Sequence, residues 1–279
     1  MTAPMMANGL PRILGFVLLL WCSLATHTPL MAAEHSQFEL GFGIATATFP
    51  DYRGSDRQRT YILPLPYVVY QGEYVQIDRS GIRGLLVNRP ELDIDLSLDG
   101  AIPVKSDQDG ARKEMHDLDP VFEFGPSINW TVYESSATRM QFQVPARAVF
   151  STDLRSIHYR GWKLHPRFNL SSDRPPGHWN WSVTTGPLFG DRRYHDYYYS
   201  VAPRFVTPQR PAYRANRGYS GWSSLISASQ RFDRVWLGAF IRYDNLQGAS
   251  FQDSPLVETR HALLAGIGLA WVFQPLAQP

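Results

Sequence analysis

Cysteine is nearly absent from this sequence, since Cys22 is its single copy. It follows Arg12 and an apolar run over residues 13–21, which is too short to span a membrane as a helix. Small residues at Ala32 and Ala33 then offer a cleavage site. We therefore predict a signal peptide over residues 1–33, and a mature chain with no disulfide and no thiolate chemistry.

Helical periodicity and charge imbalance are also lacking. After the N-terminal segment, no run places apolar residues at i, i+3, i+4 and i+7, so we expect no helices to cover a sheet. The 27 basic and 25 acidic side chains leave a net charge of +2, which argues against nucleic acid as a partner. A mean hydropathy of -0.26 excludes a bundle of membrane-spanning helices.

Alternation with a period of two is what the sequence has instead, and it is clearest over residues 91–104. Leu92, Leu96 and Leu98 fall on one face of a strand, while Asp93 and Asp95 fall on the other. Segments of roughly 10 residues with this pattern recur between turn-rich or charged stretches, which is typical of a transmembrane β-barrel. Only a closed barrel pairs every strand edge within lipid.

These segments predict an all-β, antiparallel, up-and-down transmembrane barrel over residues 34–273, followed by a short periplasmic tail over 274–279. About twelve strands are expected, or ten if the turn chemistry of Arg79-Ser80-Gly81 does not divide one segment in two. Pro64-Leu65-Pro66 predicts a bulge or local break, because proline cannot donate to a ladder. Residues 105–119 and 190–218 are expected to form long external loops. The predicted strands cover residues 38–48, 61–70, 73–79, 82–87, 91–104, 121–133, 139–150, 162–170, 179–189, 219–232, 235–245 and 261–273.

Charged side chains on the inward faces of these strands are the candidate site residues. They are Asp93, Asp95, Asp99, Glu123, Arg147, Lys163 and Arg167. One hypothesis is a narrow water-filled pore with an acidic wall opposite a basic wall. We favour a salt-bridged interior that blocks passage in a barrel of this size, and we prefer ion pairing to a cation site at the three aspartates.

Catalytic signals are weak. There is no Gly-x-Ser-x-Gly motif, and no Ser–His spacing forces contact across strands, so we predict no enzyme activity, no cofactor and no metal site. Tyr194, Tyr197, Tyr198 and Tyr199 could bind a glycan or a host surface. An interfacial aromatic girdle or a folded-in loop is the interpretation that we favour for them, the girdle first.

Five short motifs occur in order along the chain. They are Pro50-x-Tyr52-x-Gly54-Ser55-Asp56, Leu63-Pro64-Leu65-Pro66, Tyr198-Tyr199-Ser200-Val201, Pro211-Ala212-Tyr213 and Asp253-Ser254-Pro255-Leu256-Val257. As an ordered set they resemble the MipA/OmpV family of MltA-interacting outer-membrane proteins. The motif residues carried forward are Pro50, Tyr52, Gly54, Ser55, Asp56, Pro64, Pro66, Ser254 and Pro255.

The resemblance implies a barrel in the outer membrane of a Gram-negative cell, reached by Sec-type export. It implies a scaffold for peptidoglycan-remodelling enzymes, namely a lytic transglycosylase and a bifunctional synthase, alongside contact with outer-membrane lipid. The family pattern has no catalytic residues to carry over. A small-solute channel is the first alternative and a surface adhesin the second, while an outer-membrane hydrolase ranks last.

Overall fold

The computed structural model describes residues 37–78, 81–89, 91–101, 110–172, 174 and 178–273. The predicted signal peptide, the predicted tail over 274–279 and residues 105–109 of the first external loop lie outside these ranges.

A closed antiparallel barrel of twelve strands forms the body of the protein. Its closure is the pairing of the last strand with the first, which joins Gly41 to Val272 and continues to Thr48 and Ala265. The strands are Gln37–Pro50 (β1), Gln58–Gln71 (β2), Val75–Asp78 (β3), Gly81–Asn88 (β4), Leu92–Ala101 (β5), Val121–Glu134 (β6), Arg139–Thr152 (β7), Ile157–Leu164 (β8), Arg167–Ser171 (β9), Asn180–Gly190 (β10), Gly218–Phe232 (β11), Val235–Asn245 (β12) and His261–Val272 (β13).

β8 and β9 are two halves of one strand. Both pair with β7 in a single register, in which Ala146 faces Leu164 and Gln143 faces Arg167. The ladder is interrupted at Pro166, which has no backbone N–H to donate. The predicted count of twelve is therefore confirmed, and the division of the segment near Arg79 into β3 and β4 is part of it.

Apolar side chains cover the outside of the wall. Phe42, Ile62 and Trp130 are 59%, 72% and 57% exposed on strands whose alternate residues point inward. Neighbouring rings also meet across strands on this face, as Phe142 does with Phe168 at a centroid distance of 5.1 Å. Burying such a face needs an apolar medium, so the alternation in the sequence produces a belt suited to lipid. Among the described helices, none has the length and apolar character needed to cross a membrane.

The predicted bulge at Pro64-Leu65-Pro66 is wrong. β1 and β2 stay in one register over their whole length, from Gln37 opposite Gln71 to Pro50 opposite Gln58. The Phe273 N–H donates to the Leu40 carbonyl, so the even-numbered residues of β1 direct their backbone groups to β13. Pro64 and Pro66 lie opposite two of these residues, Ile44 and Phe42, so neither proline is required to donate to β1.

Long connections gather at one end of the barrel, which is the extracellular end in barrels of this kind. One of them contains a short helix, Arg192–Tyr199 (α1), which the sequence analysis did not predict. Asp191 caps the helix, accepting a 2.8 Å hydrogen bond from the Tyr194 N–H. The helix escaped the sequence pattern because its apolar surface consists of tyrosines that pack against other loops rather than an aliphatic stripe.

Candidate functional site: the loop plug and the lumen walls

Four connections pack together into a plug, which we define as the described residues of loops 51–57, 110–119, 191–217 and 246–260. At its centre Phe251 is 0% exposed, and its ring stacks on that of Tyr199 with centroids 3.6 Å apart. The four loops start from separate positions around the barrel rim and meet in one apolar core. This core therefore lies over the mouth of the barrel. The buried members of this core are Tyr52, Leu118, Tyr199, Ala215, Leu246, Ala249 and Phe251.

The family-motif residues tie the first loop of the plug to its last. The Tyr52 hydroxyl donates to the Leu256 carbonyl at 2.7 Å, and the Glu258 N–H donates to the Gly54 carbonyl at 2.7 Å. Gly54 has a φ of +106°, a conformation that favours glycine. The Ser254 hydroxyl donates to the Tyr199 carbonyl at 2.6 Å, which joins the motifs of three loops.

The remaining motif residues of the first loop lie beside these bonds. The Ser55 hydroxyl and the Asp56 N–H donate to the Glu258 carboxylate at 3.5 and 3.4 Å, and Pro50 ends β1 immediately before the loop. Partial burial raises the pKa of the Glu258 carboxyl. Pro255 stands between Ser254 and the carbonyl-bearing Leu256.

Two buried arginines cross-link the plug through carbonyl groups. Arg112 donates to the Tyr198 carbonyl at 2.8 Å, and Arg210 donates to the carbonyls of Ala111 and Lys113 at 2.8 and 2.7 Å. A guanidinium offers five donors in a planar fork, so one side chain can satisfy several loop carbonyls at once. The predicted external loop over 105–119 is, in its described part, a structural piece of the plug.

Arg53 anchors the plug to the barrel wall. Its guanidinium lies 3.3 Å from the Asp244 carboxylate on β12 and donates to the Ser220 carbonyl on β11 at 3.0 Å. Asp244 is 1% exposed and is also 3.3 Å from Arg242. The buried Asp244 carboxylate thus holds Arg53, and with it loop 51–57, against the barrel wall.

A buried Ser–His contact that sequence spacing did not predict lies under α1. His195 Nε2 is 2.6 Å from the Ser220 hydroxyl, and Nδ1 is 2.5 Å from the Asn216 carbonyl. A carbonyl only accepts, so Nδ1 carries the proton and Nε2 accepts from Ser220. Burial lowers the pKa of His195, which keeps the ring neutral. The two residues are 0% and 1% exposed, and this geometry positions α1 against the barrel.

The tyrosines of the long loop belong to the plug rather than to a girdle. Tyr194 and Tyr199 are 9% and 3% exposed, and the Tyr199 hydroxyl donates to the Arg53 carbonyl at 2.8 Å. Burial raises the pKa of both phenols. Of the two interpretations weighed for these rings, the folded-in loop describes their positions.

The candidate lumen residues form a dense polar wall on neighbouring strands. Asn129 Nδ2 donates to the carboxylates of Asp93 and Asp95 at 2.5 and 2.7 Å, and Asp95 is 2% exposed. The amide therefore bridges two like charges that share a strand face. Within the described ranges, no group of three or more His, Cys, Asp or Glu side chains is arranged to hold a metal.

Ion pairs continue this polar wall across β5 to β8. Lys163 Nζ lies 2.5 Å from the Glu123 carboxylate, and Arg147 lies 2.7 Å from Asp99 and 3.9 Å from Glu123. Arg167 donates from Nε to the side-chain amide oxygen Oε1 of Gln143 at 2.9 Å. All of these strands are neighbours, so acidic and basic side chains share one side of the lumen. The hypothesis of an acidic wall opposite a basic wall, which the sequence analysis did not favour, does not describe this arrangement.

An apolar patch, which the sequence analysis did not single out, lies on the other side of the lumen between the Arg231–Glu39 ion pair and the charged Arg242 and Asp244. Trp236 of β12 packs with its ring 5.8 Å from that of Tyr67 on β2, and a Cβ on Gly268 would meet Leu65 at 2.9 Å. The sequence of β2 could have indicated this patch, because its inward residues Leu63 and Leu65 are as apolar as its outward residues.

A closed twelve-stranded antiparallel barrel with an apolar outer belt and a polar inner wall is an outer-membrane β-barrel. The profile described as MltA-interacting protein MipA matches residues 42–273, and the chain belongs to the MipA family. No curated protein sequence matches the chain.

Several solved outer-membrane structures are similar to this chain at low identity. An outer-membrane channel from Pseudomonas putida F1 is 10% identical, covers 89% of this chain and 100% of its own, and has a TM-score of 0.44. The channel DcaP of Acinetobacter baumannii is 9% identical, with coverage of 87% and 99% and a TM-score of 0.36. The protease OmpT from Escherichia coli is 10% identical, with coverage of 85% and 96% and a TM-score of 0.30.

Proposed function

We propose that this barrel is a non-enzymatic outer-membrane scaffold that holds peptidoglycan-remodelling enzymes at its periplasmic end. The plug is the observation that carries the proposal. Four interlocked loops with a common apolar core cover the extracellular mouth, which favours a structural role over an open aqueous channel. The description of the family as MltA-interacting supports a lytic transglycosylase as the partner class. The bifunctional synthase is the second partner that we propose, from the motif resemblance alone.

The charged wall of the lumen supports the same function. Glu123 and Lys163 neutralise each other, and Arg147 is held by Asp99, so the polar side chains that would select a solute are engaged with one another. A barrel whose lumen charges are paired with one another is a suitable anchor for a periplasmic complex.

Exposed aromatic residues mark the periplasmic end where such enzymes would dock. Tyr74, between β2 and β3, is 70% exposed, and Trp179, before β10, is 52% exposed. Aromatic side chains are enriched at protein–protein contacts because they bury a large area with few rotatable bonds. We expect these two residues to contribute to enzyme capture.

The test is a crosslinking pull-down from intact envelopes. The affinity tag is inserted after Leu154, an exposed residue of the β7–β8 turn. This site leaves the plug intact, whereas a tag in the loop of Arg112 would disrupt it. We expect recovery of a lytic transglycosylase with the wild-type barrel and its loss with Trp179→Ala. Tyr159→Ala is the matched control, since that aromatic residue is 41% exposed near the opposite end of the barrel. Absence of any cell-wall enzyme from the wild-type sample would refute the scaffold.

A further inference from the structure

Arginines surround the point where the long loop leaves the barrel wall and re-enters it. Loop 191–217 contains six arginines and no lysine, against two aspartates. Gly190 at the end of β10 pairs with Gly218 at the start of β11, so the first and last residues of the loop flank one point of the extracellular rim. Three exposed side chains at this point form what we call the arginine rim, namely Arg192, Arg193 and Arg217.

Two of these arginines lie where they oppose the helix. Arg192 and Arg193 are the first two residues of α1, and the first turn carries no acidic side chain. The positive end of a helix dipole disfavours cations, so this placement does not stabilise α1. Asp191 already caps the helix by accepting from the Tyr194 N–H, so the guanidiniums rather than the helix N–H groups are available to an anion. Helix formation therefore does not account for the charges at this position.

The arginine rim is not neutralised by carboxylates of the described residues. Arg192 donates to the side-chain oxygen of Asn216 at 3.4 Å. Neither Arg193 nor Arg217 lies within ion-pair distance of a described acidic side chain. The two aspartates of the same loop are used at the ends of α1, where they accept hydrogen bonds from a backbone N–H and from a hydroxyl. Three guanidiniums at one point of the surface therefore create a positive potential.

Aromatic rings lie on the barrel wall directly below this point. Phe189 and Tyr219 are opposite each other on β10 and β11, each one residue from the glycine pair, and their ring centroids are 5.9 Å apart. Tyr159 of β8 is 41% exposed, and its ring is 5.6 Å from that of Phe150. Aromatic residues on the outer face of a barrel mark the level of the lipid head groups. The arginine rim therefore lies at the head groups of the outer leaflet.

Arg193 connects the arginine rim to this aromatic level. Its guanidinium lies over the ring of Tyr159, with the central carbon 5.2 Å from the ring centroid. A guanidinium that stacks through its face keeps its N–H groups directed outward along its edge. Its planar fork matches two oxygens of a phosphate group, whereas the ammonium of a lysine is a point charge. The chemistry of the site thus suits phosphate.

We propose that the arginine rim binds the head-group phosphates of a phosphorylated lipid in the outer leaflet. The guanidiniums supply charge and bidentate hydrogen bonds, and the acyl chains of the lipid pack against the aromatic side chains below. A lipid is the occupant because its phosphates and its chains lie at the heights of the arginines and of the rings. The site is on the outer surface between β8 and β11, and it does not depend on the scaffold function.

The test is native mass spectrometry of the barrel in a neutral detergent, titrated with lipid A that carries two phosphates. We expect Arg193→Gln/Arg217→Gln to raise the apparent Kd about 30-fold, since each arginine near an anionic lipid changes affinity about fivefold. Heat-modifiable migration on a denaturing gel verifies that each variant has folded.

Arg204→Gln/Arg214→Gln is the matched control, because it removes the same charge from two other exposed arginines of the same loop. Arg204 lies over the ring of Phe205 and beside His116, on the plug rather than at the arginine rim. We expect its Kd to stay within about twofold of the wild-type value. An equal loss of affinity in the two double variants would overturn the proposal.

The head-group chemistry is tested with the wild-type protein. Lipid A without phosphate should bind at least about tenfold more weakly than the form with two phosphates. Equal binding of the two lipids would overturn the proposal. Displacement of the lipid by inorganic phosphate at an equal concentration would also overturn it, since the site would then be one for the free anion.

Arginine footprinting with phenylglyoxal provides a second readout on the unmodified protein. We expect lipid A with two phosphates to slow the modification of Arg193 and Arg217 and to leave that of Arg204 unchanged. Equal protection of all three side chains, or no protection of the first two, would exclude the site. Because neither readout involves a protein partner, its failure is distinguishable from failure of the scaffold.

Discussion

Removal of the Phe251 ring is the sharpest perturbation of the plug. This side chain is 0% exposed, stacks on Tyr199 at 3.6 Å and meets the His195 ring at 4.7 Å. Truncating a fully buried phenylalanine costs about 3–5 kcal/mol through lost contacts and the cavity that remains. We therefore expect Phe251→Ala to destabilise the plug by this amount while the barrel strands, which do not contact Phe251 through a ladder, persist.

Hydrogen exchange of the plug amides in nanodiscs measures this effect. At 1.36 kcal/mol per tenfold change, the local opening equilibrium of loops 191–217 and 246–260 should rise about 100- to 5,000-fold. Val206→Ala is the matched control, because that side chain is 47% exposed in the same long loop. Its effect should stay within about 0.5 kcal/mol. Unchanged exchange in Phe251→Ala would refute the conclusion that the loops form one cooperative unit.

Three further perturbations test the lumen, the pH response and the helix cap. Lys163→Met leaves the carboxylate of Glu123, whose side chain is 9% exposed, with only Arg147 at 3.9 Å, and should cost about 3 kcal/mol in urea unfolding from liposomes. Double replacement of Glu123 and Lys163 by Gln should restore most of the loss. The pKa of His195 is lowered in the fold, so its unfolded form binds the proton more tightly. Plug stability, read as amide exchange, should therefore fall as the pH drops below about 6.5, and His195→Asn should flatten that profile. Gly161→Ala places a Cβ against Asp191 and the Tyr194 N–H at a φ of +109°, so it should cost about 2 kcal/mol or more. Gly248→Ala should cost roughly 1 kcal/mol, since its Cβ makes only an ordinary van der Waals contact with the Tyr219 ring at 3.8 Å.

The strands were predictable because each carries its own signal. Leu96 and Asp95 fall on opposite faces whatever the rest of the chain does, since the side-chain period of a strand is two. The inward position of the charges followed from the same rule. Their ion-pair partners did not, because the alternation gives the face of a residue but not its neighbour on the next strand.

The plug was not predictable by this reasoning. Tyr52 and Leu256 form a hydrogen bond although 204 residues separate them in sequence. The contact depends on loop conformations, which have no periodic pattern in the sequence. The resemblance to the family had nevertheless selected the right residues, since Tyr52, Gly54 and Ser254 all form bonds between loops. Pro64 and Pro66 were misread because proline was judged as a break in a ladder before the direction of each backbone edge was known.

The plug joins loops from the beginning and the end of the barrel sequence, so an intact plug indicates a completely assembled barrel. Tyr52 precedes all but the first strand, whereas its acceptor at Leu256 comes just before the last strand, so this bond can form only when β13 has reached β1. A barrel that stalls with its seam open would leave the rings of Tyr199 and Phe251 in water and the long loop cleavable by a protease. Protection of loop 191–217 from trypsin would then distinguish closed barrels from arrested ones at the surface of an intact cell.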